Sequence, residues 1–252
     1  LEIKSKMKKG LQILSETDHW IALNKPAGLL SVPDREGKEE SLKSQLQQRF
    51  GKIWPVHRLD RDTSGVILFA KNEEAHRNFS MQFEQRGVQK RYGGLVIGKP
   101  YPLEGNITSP IKEHHAIVGK MVTHRNGKPS QTNYMVAEQF APYSWVLFEP
   151  VTGRTHQIRV HMQSIGFPLV CDNLYGDGQP LYLSRLKPGY KISKHEEEER
   201  PLLNRLALHA MELVFTDENG KQISIQADLP KELQVTLLQL QKYARQTTPR
   251  FR

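Results

Sequence analysis

In the stretch His57-Arg58-Leu59-Asp60-Arg61-Asp62-Thr63-Ser64-Gly65, one aspartate stands between two arginines. Arg58 and Arg61 lie within two residues of Asp60, and fixed positive charge favours the ionised carboxylate. An ionised aspartate suits a nucleophile or a base, not an acid. The same residues would serve equally well as a salt-bridged loop at an ordinary strand edge, where exposed ion pairs contribute little. Local chemistry leaves both readings open. The next residues, Val66-Ile67-Leu68-Phe69-Ala70-Lys71, make a short apolar run with a β-branched start, the pattern of a buried strand. A charged loop ending in Thr-Ser-Gly turn chemistry and feeding such a strand holds its side chains at the edge of a rigid sheet.

A second dense stretch is Thr152-Gly153-Arg154-Thr155-His156-Gln157-Ile158-Arg159-Val160-His161-Met162. Thr155 is expected to cap a helix whose apolar face carries Ile158, Met162 and Ile165, closed by Gly166 and Pro168. Arg154 and Thr155 would then stand at the positive end of the helix, a ready phosphate site. Arg159 falls one residue off the apolar stripe and is expected to be partly buried. An unpaired buried guanidinium costs on the order of three kcal/mol or more, so it needs a carboxylate. No acid lies near it in sequence, and Asp60 is the expected distant partner. In a third stretch, Lys90 and Arg91 precede Tyr92, combining cation and aromatic face in the way that suits an unstacked base. A tyrosine at a strand start nevertheless packs more often than it reacts, given its strand propensity. His114, His115 and His124 show neither a helical His-x-x-x-His spacing nor a nearby carboxylate set, so no metal is expected.

The elements that must position these residues emerge from periodicity and punctuation. Leu11–Leu14 and Trp20–Leu23 read as a hairpin opening, after which Asn24-Lys25-Pro26-Ala27-Gly28 presents Lys25 on a loop. Ser41 caps a helix through Phe50, with Leu42, Leu46 and Phe50 on one face and Gly51 ending it. Asn72 or Glu73 begins a second helix with Phe79 and Phe83 on one side and Gly87 as its stop. Residues 93–98 form a further strand; residues 100–129, rich in Gly, Pro, His and Lys, read as turns and edge strands of a binding surface. Gln131–Glu138 and Trp145–Glu149 look antiparallel. Tyr175 to Pro188 reads as loop, and Lys194 to Arg200 as a solvated charge run. Strand pattern returns over 206–216, Asp217-Glu218-Asn219-Gly220 turns into Gln222–Ala227, and Pro230 begins a terminal helix with Leu233, Leu237 and Leu240 on one side. Strands outnumber helices and no repeat emerges, which predicts an α+β fold around a large, mainly antiparallel mixed sheet.

Composition narrows the partner. The 252 residues hold 36 Lys and Arg against 27 Asp and Glu, a net charge of +9, which suggests a polyanion: nucleic acid first, an anionic membrane surface second. One cysteine, Cys171, excludes an intramolecular disulfide and a cysteine-based zinc cluster, and fits a reducing, cytoplasmic setting. No apolar run approaches the roughly 18 residues of a membrane span, and the basic start (Lys4, Lys6, Lys8, Lys9) is not followed by a signal-peptide core.

Several of these stretches resemble the motifs of one family. His57-Arg58-Leu59-Asp60 with Thr63-Ser64-Gly65 and Ala70-Lys71 is similar to the signature of the RluA-type pseudouridine synthases. Asn24-Lys25-Pro26-Ala27-Gly28 resembles that family's Lys-Pro motif, Gln89-Lys90-Arg91-Tyr92 its Lys-x-Tyr motif, Gly153–His161 its third motif, and Leu208-His209-Ala210 its late Leu-His-Ala segment. They stand in family order over residues 11 to 230. The resemblance implies the pseudouridine synthase fold, helices and loops flanking the sheet around a central cleft. It also implies conversion of uridine in tRNA or ribosomal RNA to pseudouridine: the bond from base nitrogen to ribose breaks, the uracil turns, and a ring carbon takes the nitrogen's place. Substrate and product are isomers, so no cofactor is implied. Asp60 matches the catalytic aspartate, attacking the ribose or removing its 2′ proton. Arg159 matches the arginine paired with it. Tyr92 matches the tyrosine that stacks on the base and helps remove the ring proton, and Arg58 the residue that fills the space left by the flipped nucleotide. Lys25, His57, Arg61, Lys90, Arg91, Arg154, Thr155, His156 and Gln157 are expected to contact RNA. One carboxylate suffices because water is not a reactant, unlike in hydrolytic glycosidases.

The expected organisation is a single, monomeric catalytic domain over 1–252, with a basic arm (1–10), a charged insertion (about 177–200) and a basic tail (245–252). About ten residues precede the first strand, too few for the additional N-terminal RNA-binding domain of some family members. Target choice then falls to the catalytic domain, through 100–129 and 177–200. Charge and aromatics alone would also suit a non-catalytic RNA chaperone on the same fold; Asp60 argues against it, because a pure binder gains little from a carboxylate facing phosphates. A metal-dependent nuclease built on the histidines is remote.

Overall fold

The computed structural model describes residues 11–34, 36–192 and 197–244, so the arm at 1–10, the tail at 245–252 and part of the charged insertion lie outside the described residues. The chain packs as two compact units, one of residues 11–92 with His209–Asp228 and one of Gly93–Leu208 with residues 229–244.

The first unit is built on β4 (Ser64–Ala70), whose seven residues are all buried. Side chains alternate across a strand, so one apolar run feeds two cores. Val66, Leu68 and Ala70 meet Trp20, Ala22, Phe79 and Phe215 on one face, while Ile67 and Phe69 meet Ile21, Leu23, Leu42 and Leu46 on the other. The antiparallel neighbours are β2 (Trp20–Lys25), itself paired with β1 (Gln12–Glu16), and the short β3 (Trp54–Pro55). On the other side β11 (Leu208–Thr216) runs parallel to β4 and antiparallel to β12 (Gln222–Gln226), which makes the sheet mixed.

Two helices cover these faces. α1 (Leu42–Phe50) is capped by Ser41, whose hydroxyl accepts from the Ser44 amide, and ends at Gly51 with φ 71°. α2 (Glu73–Glu84) is capped by Asn72, which accepts from the Ala75 amide. Its expected stop, Gly87, is corrected by one residue: Arg86, at φ 61°, takes the left-handed position.

The second unit contains most of β5 (Gln89–Ile97), the antiparallel pairs β9 (Thr132–Gln139) with β10 (Tyr143–Pro150) and β6 (Glu104–Ile107) with β9, and the terminal helix α4 (Lys231–Tyr243). The weakly patterned 100–129 region holds β6 and a hairpin of β7 (Ile111–Glu113) and β8 (Met121–Thr123). α3 (Gln157–Ser164) is buried on all sides from Gln157 to Met162, so the one-sided stripe expected for it understates its burial. A helix enclosed this way is not amphipathic. The fold is α+β with mainly antiparallel strands, as expected. Among the described residues no helix is long and apolar enough to cross a membrane.

Candidate functional site

Asp60 lies in the loop between β3 and β4, and the residues on either side of it are pinned. Before it, the buried Ser31 hydroxyl donates to the Leu59 carbonyl (2.8 Å) and accepts from the Leu59 amide (3.1 Å). After it, the Arg61 carbonyl accepts from Lys25 Nζ (2.8 Å) and from the Gly28 amide (2.9 Å). The Asp60 carbonyl itself accepts from the Thr63 amide (3.2 Å), closing the turn. A carboxylate carried on backbone fixed at both sides is preorganised, the condition for using it in chemistry.

Lys25 is therefore a correction. The motif points it at RNA, yet it is fully buried, and its ammonium also donates to the Pro26 and Leu29 carbonyls at 2.9 and 2.7 Å. The apolar surroundings accept the cation because these carbonyls solvate it. His57 is likewise built into the scaffold. Its Nε2 accepts from the Leu68 amide of β4 (3.0 Å), and its ring stacks on Phe83 at 4.7 Å. Burial, and then the charge of Lys90, push its pKa from 6.5 down to about 3, so the ring is neutral.

Tyr92 is half-buried against the core that holds Leu59, Ile67 and Phe69. Burial, and after it the negative charge of Asp60, raise its phenol well above the ordinary value of 10. Two of the expected catalytic residues are thus brought together within the first unit. The phenol stays protonated, which favours stacking and hydrogen bonding over acting as a phenolate base. Lys90, half-buried, is pushed down to about 8 by burial and then by Arg86. Arg58 is exposed. Arg61, also exposed, reaches the Glu39 carboxylate at 3.0 Å, and Arg91 reaches that of Glu212 at 2.8 Å. His209 explains the late motif: its buried ring lies 2.8 Å from Ser64 Oγ and 3.2 Å from the Ala227 carbonyl, tying β11 to the first residue of β4.

The other motif cluster belongs to the second unit. Arg159 is only 7% exposed, and its guanidinium makes a two-pronged bond to Asp172, Nε to Oδ2 and Nη2 to Oδ1, both 2.8 Å. Asp172, thirteen residues downstream, is thus a nearer carboxylate partner of this guanidinium than the sequence suggested. Asp172 Oδ1 also accepts from the Leu174 and Tyr175 amides, both at 3.0 Å, and the Tyr175 ring lies 4.9 Å from the guanidinium carbon.

The start of α3 also differs from expectation. Thr155 does not cap it; His156, left-handed at φ 54°, occupies the N-cap, and its side chain makes no capping bond to the helix. The Gln157 side chain does the organising: its Oε1 accepts from Thr152 Oγ1 (2.6 Å) and the Arg154 amide (3.0 Å), and its Nε2 donates to the Gln131 carbonyl and Thr132 Oγ1 (both 2.9 Å). Gln157, buried at 5% exposure and so occupied, is corrected from RNA contact to scaffold. Thr155 is exposed, and half-buried Arg154 donates from Nε to the Pro129 carbonyl at 3.2 Å. Three residues of these clusters escape a reading of the sequence: Ser31, Asp172 and Tyr175. Each sits in a segment without periodicity, and only the Asp-x-x-Tyr-Gly spacing of 172–176 offers a signal.

Residues 19–164 match the family model described as RNA pseudouridylate synthase. The chain belongs to the RluA-type pseudouridine synthases. It is 39% identical over 211 residues to the dual-specificity RNA pseudouridine synthase RluA of Vibrio vulnificus, covering 81% of this chain and 77% of that protein. The RluA of Escherichia coli strain K12 is 37% identical over 209 residues, 82% of this chain and 87% of that one. Among solved structures, human RNA pseudouridylate synthase domain containing 1 aligns with a TM-score of 0.68 at 29% identity, over 88% of this chain and 84% of that one. Membership makes this synthase an isomerase, and it accounts for the order in which the five motifs occur.

Proposed function

We propose that this synthase flips a specific uridine out of structured RNA, tRNA or ribosomal RNA, and rearranges its glycosidic bond at Asp60. The observation that carries the reading is the clamped backbone on both sides of Asp60, with Tyr92 close enough for its phenol to respond to the carboxylate's charge. Asp60 acts on the ribose, as nucleophile or as base at the 2′ carbon. Tyr92 stacks on the extruded uracil as a neutral phenol, and exposed Arg58 enters the vacated helix space. Unstacking costs a few kcal/mol, which aromatic stacking and basic contacts offset. Arg159, its guanidinium gripped by Asp172, belongs to the catalytic machinery in this reading. The relatives' printed names, dual-specificity synthase and, at 35% identity in Nitrosomonas europaea, ribosomal large subunit pseudouridine synthase D, support RNA as the substrate class. With no cofactor in the reaction, target selection rests on basic side chains, including those of the β7–β8 hairpin and its surroundings: Lys112, Lys120, Arg125 and Lys128. The synthase works as a monomer in the cytoplasm.

Asp60→Ala and Asp60→Asn should keep RNA affinity and abolish pseudouridine formation, measured on unmodified tRNA and ribosomal RNA transcripts. Substantial turnover by either variant refutes the role. Mapping pseudouridines in total RNA with and without the gene identifies the target.

A further inference from the structure

Three-residue strands do not hold a hairpin together unaided, so the one formed by β7 and β8 needs an anchor. It has a small apolar one, Ile111 and Met121 packing against Val160 of α3 and against Tyr175. It also has a polar one. The Met121 amide donates to the Tyr175 hydroxyl at 2.7 Å, and the same oxygen lies 2.9 Å from His156 Nδ1, at the start of α3. The ring beneath that hydroxyl is 4% exposed and faces two cations, the Arg159 guanidinium carbon at 4.9 Å and Lys120 Nζ at 5.7 Å from its centroid. Its backbone is set by the buried Asp172 carboxylate, the group that also grips Arg159. Gly176 completes the turn: a Cβ there would stand 2.9 Å from the Leu169 carbonyl oxygen.

Resting on the proposed action on RNA, we propose that Tyr175 is a positioning residue whose hydroxyl docks the β7–β8 hairpin onto the helix that carries Arg159, so that the hairpin's grip on RNA depends on it. The hairpin carries what such a grip requires: Lys112 and Lys120 on and beside its strands, exposed His115, and Ile117 and Val118 in solvent at its tip. Phosphates meet the cations, and the apolar tip meets ribose or base. The two parts of Tyr175 separate cleanly. The hydroxyl sets the hairpin, and the ring supports the guanidinium.

Tyr175→Phe keeps the ring and loses both hydrogen bonds. It should raise KM for unmodified tRNA transcripts about tenfold with kcat within about twofold, the signature of lost ground-state binding. Its melting temperature should stay within about 2 °C, and the Met121 amide should exchange with solvent about tenfold faster. Tyr175→Leu removes the ring as well and should lower kcat too. Lys120→Ala should raise KM on its own, and combining it with Tyr175→Phe should raise KM less than the product of the two effects. An unchanged KM in Tyr175→Phe overturns the proposal, as does a loss of kcat that tracks a fall in melting temperature. The same affinities are measured in an Asp60→Ala background. A wild-type chain that made no pseudouridine would sink the proposed reaction, while RNA affinity in that background would still decide the docking role.

Discussion

At the scale of single residues, the question is what holds Asp60 still. Ser31 does so with one oxygen that both gives and takes a hydrogen bond at Leu59. Ser31→Ala strands a buried amide and a buried carbonyl, so stability should fall by roughly 1–3 kcal/mol. Because the freed backbone carries Asp60, kcat should drop on the order of tenfold to a hundredfold at nearly constant KM, whereas an equal change in both would reject the positioning role. Lys90 supplies a pH test. Its folded pKa of about 8 lies below the ordinary 10.5, so burial disfavours its charged form and the cation is lost as pH rises through 8. RNA affinity should weaken across that interval, and Lys90→Arg, whose guanidinium stays charged, should flatten the profile. A wild-type profile already flat from pH 7 to 9 would remove Lys90 from the RNA contacts. His57 has the look of such a contact in the motif, but the acceptor role of Nε2 toward Leu68 depends on a strand amide that no local pattern reveals.

At the scale of elements, the loop works because β4 and β11 run side by side at its exit. Gly65 has φ 116°, and a Cβ placed there would stand 2.1 Å from the Ala210 carbonyl oxygen. The two backbones approach as closely as they do only because that position lacks a side chain. Gly65→Ala should cost several kcal/mol, on the order of four or more, and read out as a chain that fails to refold or melts far below wild type. A stable, active Gly65→Ala protein would mean that β11 can shift away without consequence. The motif Thr63-Ser64-Gly65 reads as turn chemistry in sequence, yet its physical content is parallel pairing with His209 and Ala210 from the far end of the chain. Similarly, α3 is legible as a helix, but its cap is not. Thr155 is the better capping residue by type; the start of the helix is decided by Gln157, whose amide is satisfied by Thr152, Gln131 and Thr132.

At the scale of the whole molecule, the surplus of +9 charges should make RNA binding strongly salt-dependent. Affinity of the Asp60→Ala variant for tRNA transcripts should fall at least about tenfold between 50 and 200 mM salt, as counterion release requires for several phosphate contacts. A salt-independent affinity would contradict a phosphate-based interface. What the sequence determined unaided was the chemistry and the class. Asp60 between arginines, the apolar run of β4, the helix stripes and the ordered motifs are local patterns, because charge, periodicity and turn residues act over a few positions. Only the tertiary structure decided which polar side chains are spent on the scaffold. Lys25 and Gln157 have the composition of ligand-binding residues, and nothing nearby in the chain marks them as enclosed. Burial depends on what packs on top, and their partners include Arg61 and Gln131, 36 and 26 residues away. The same holds for Asp172 and Tyr175, ordinary loop residues until the fold sets them against Arg159.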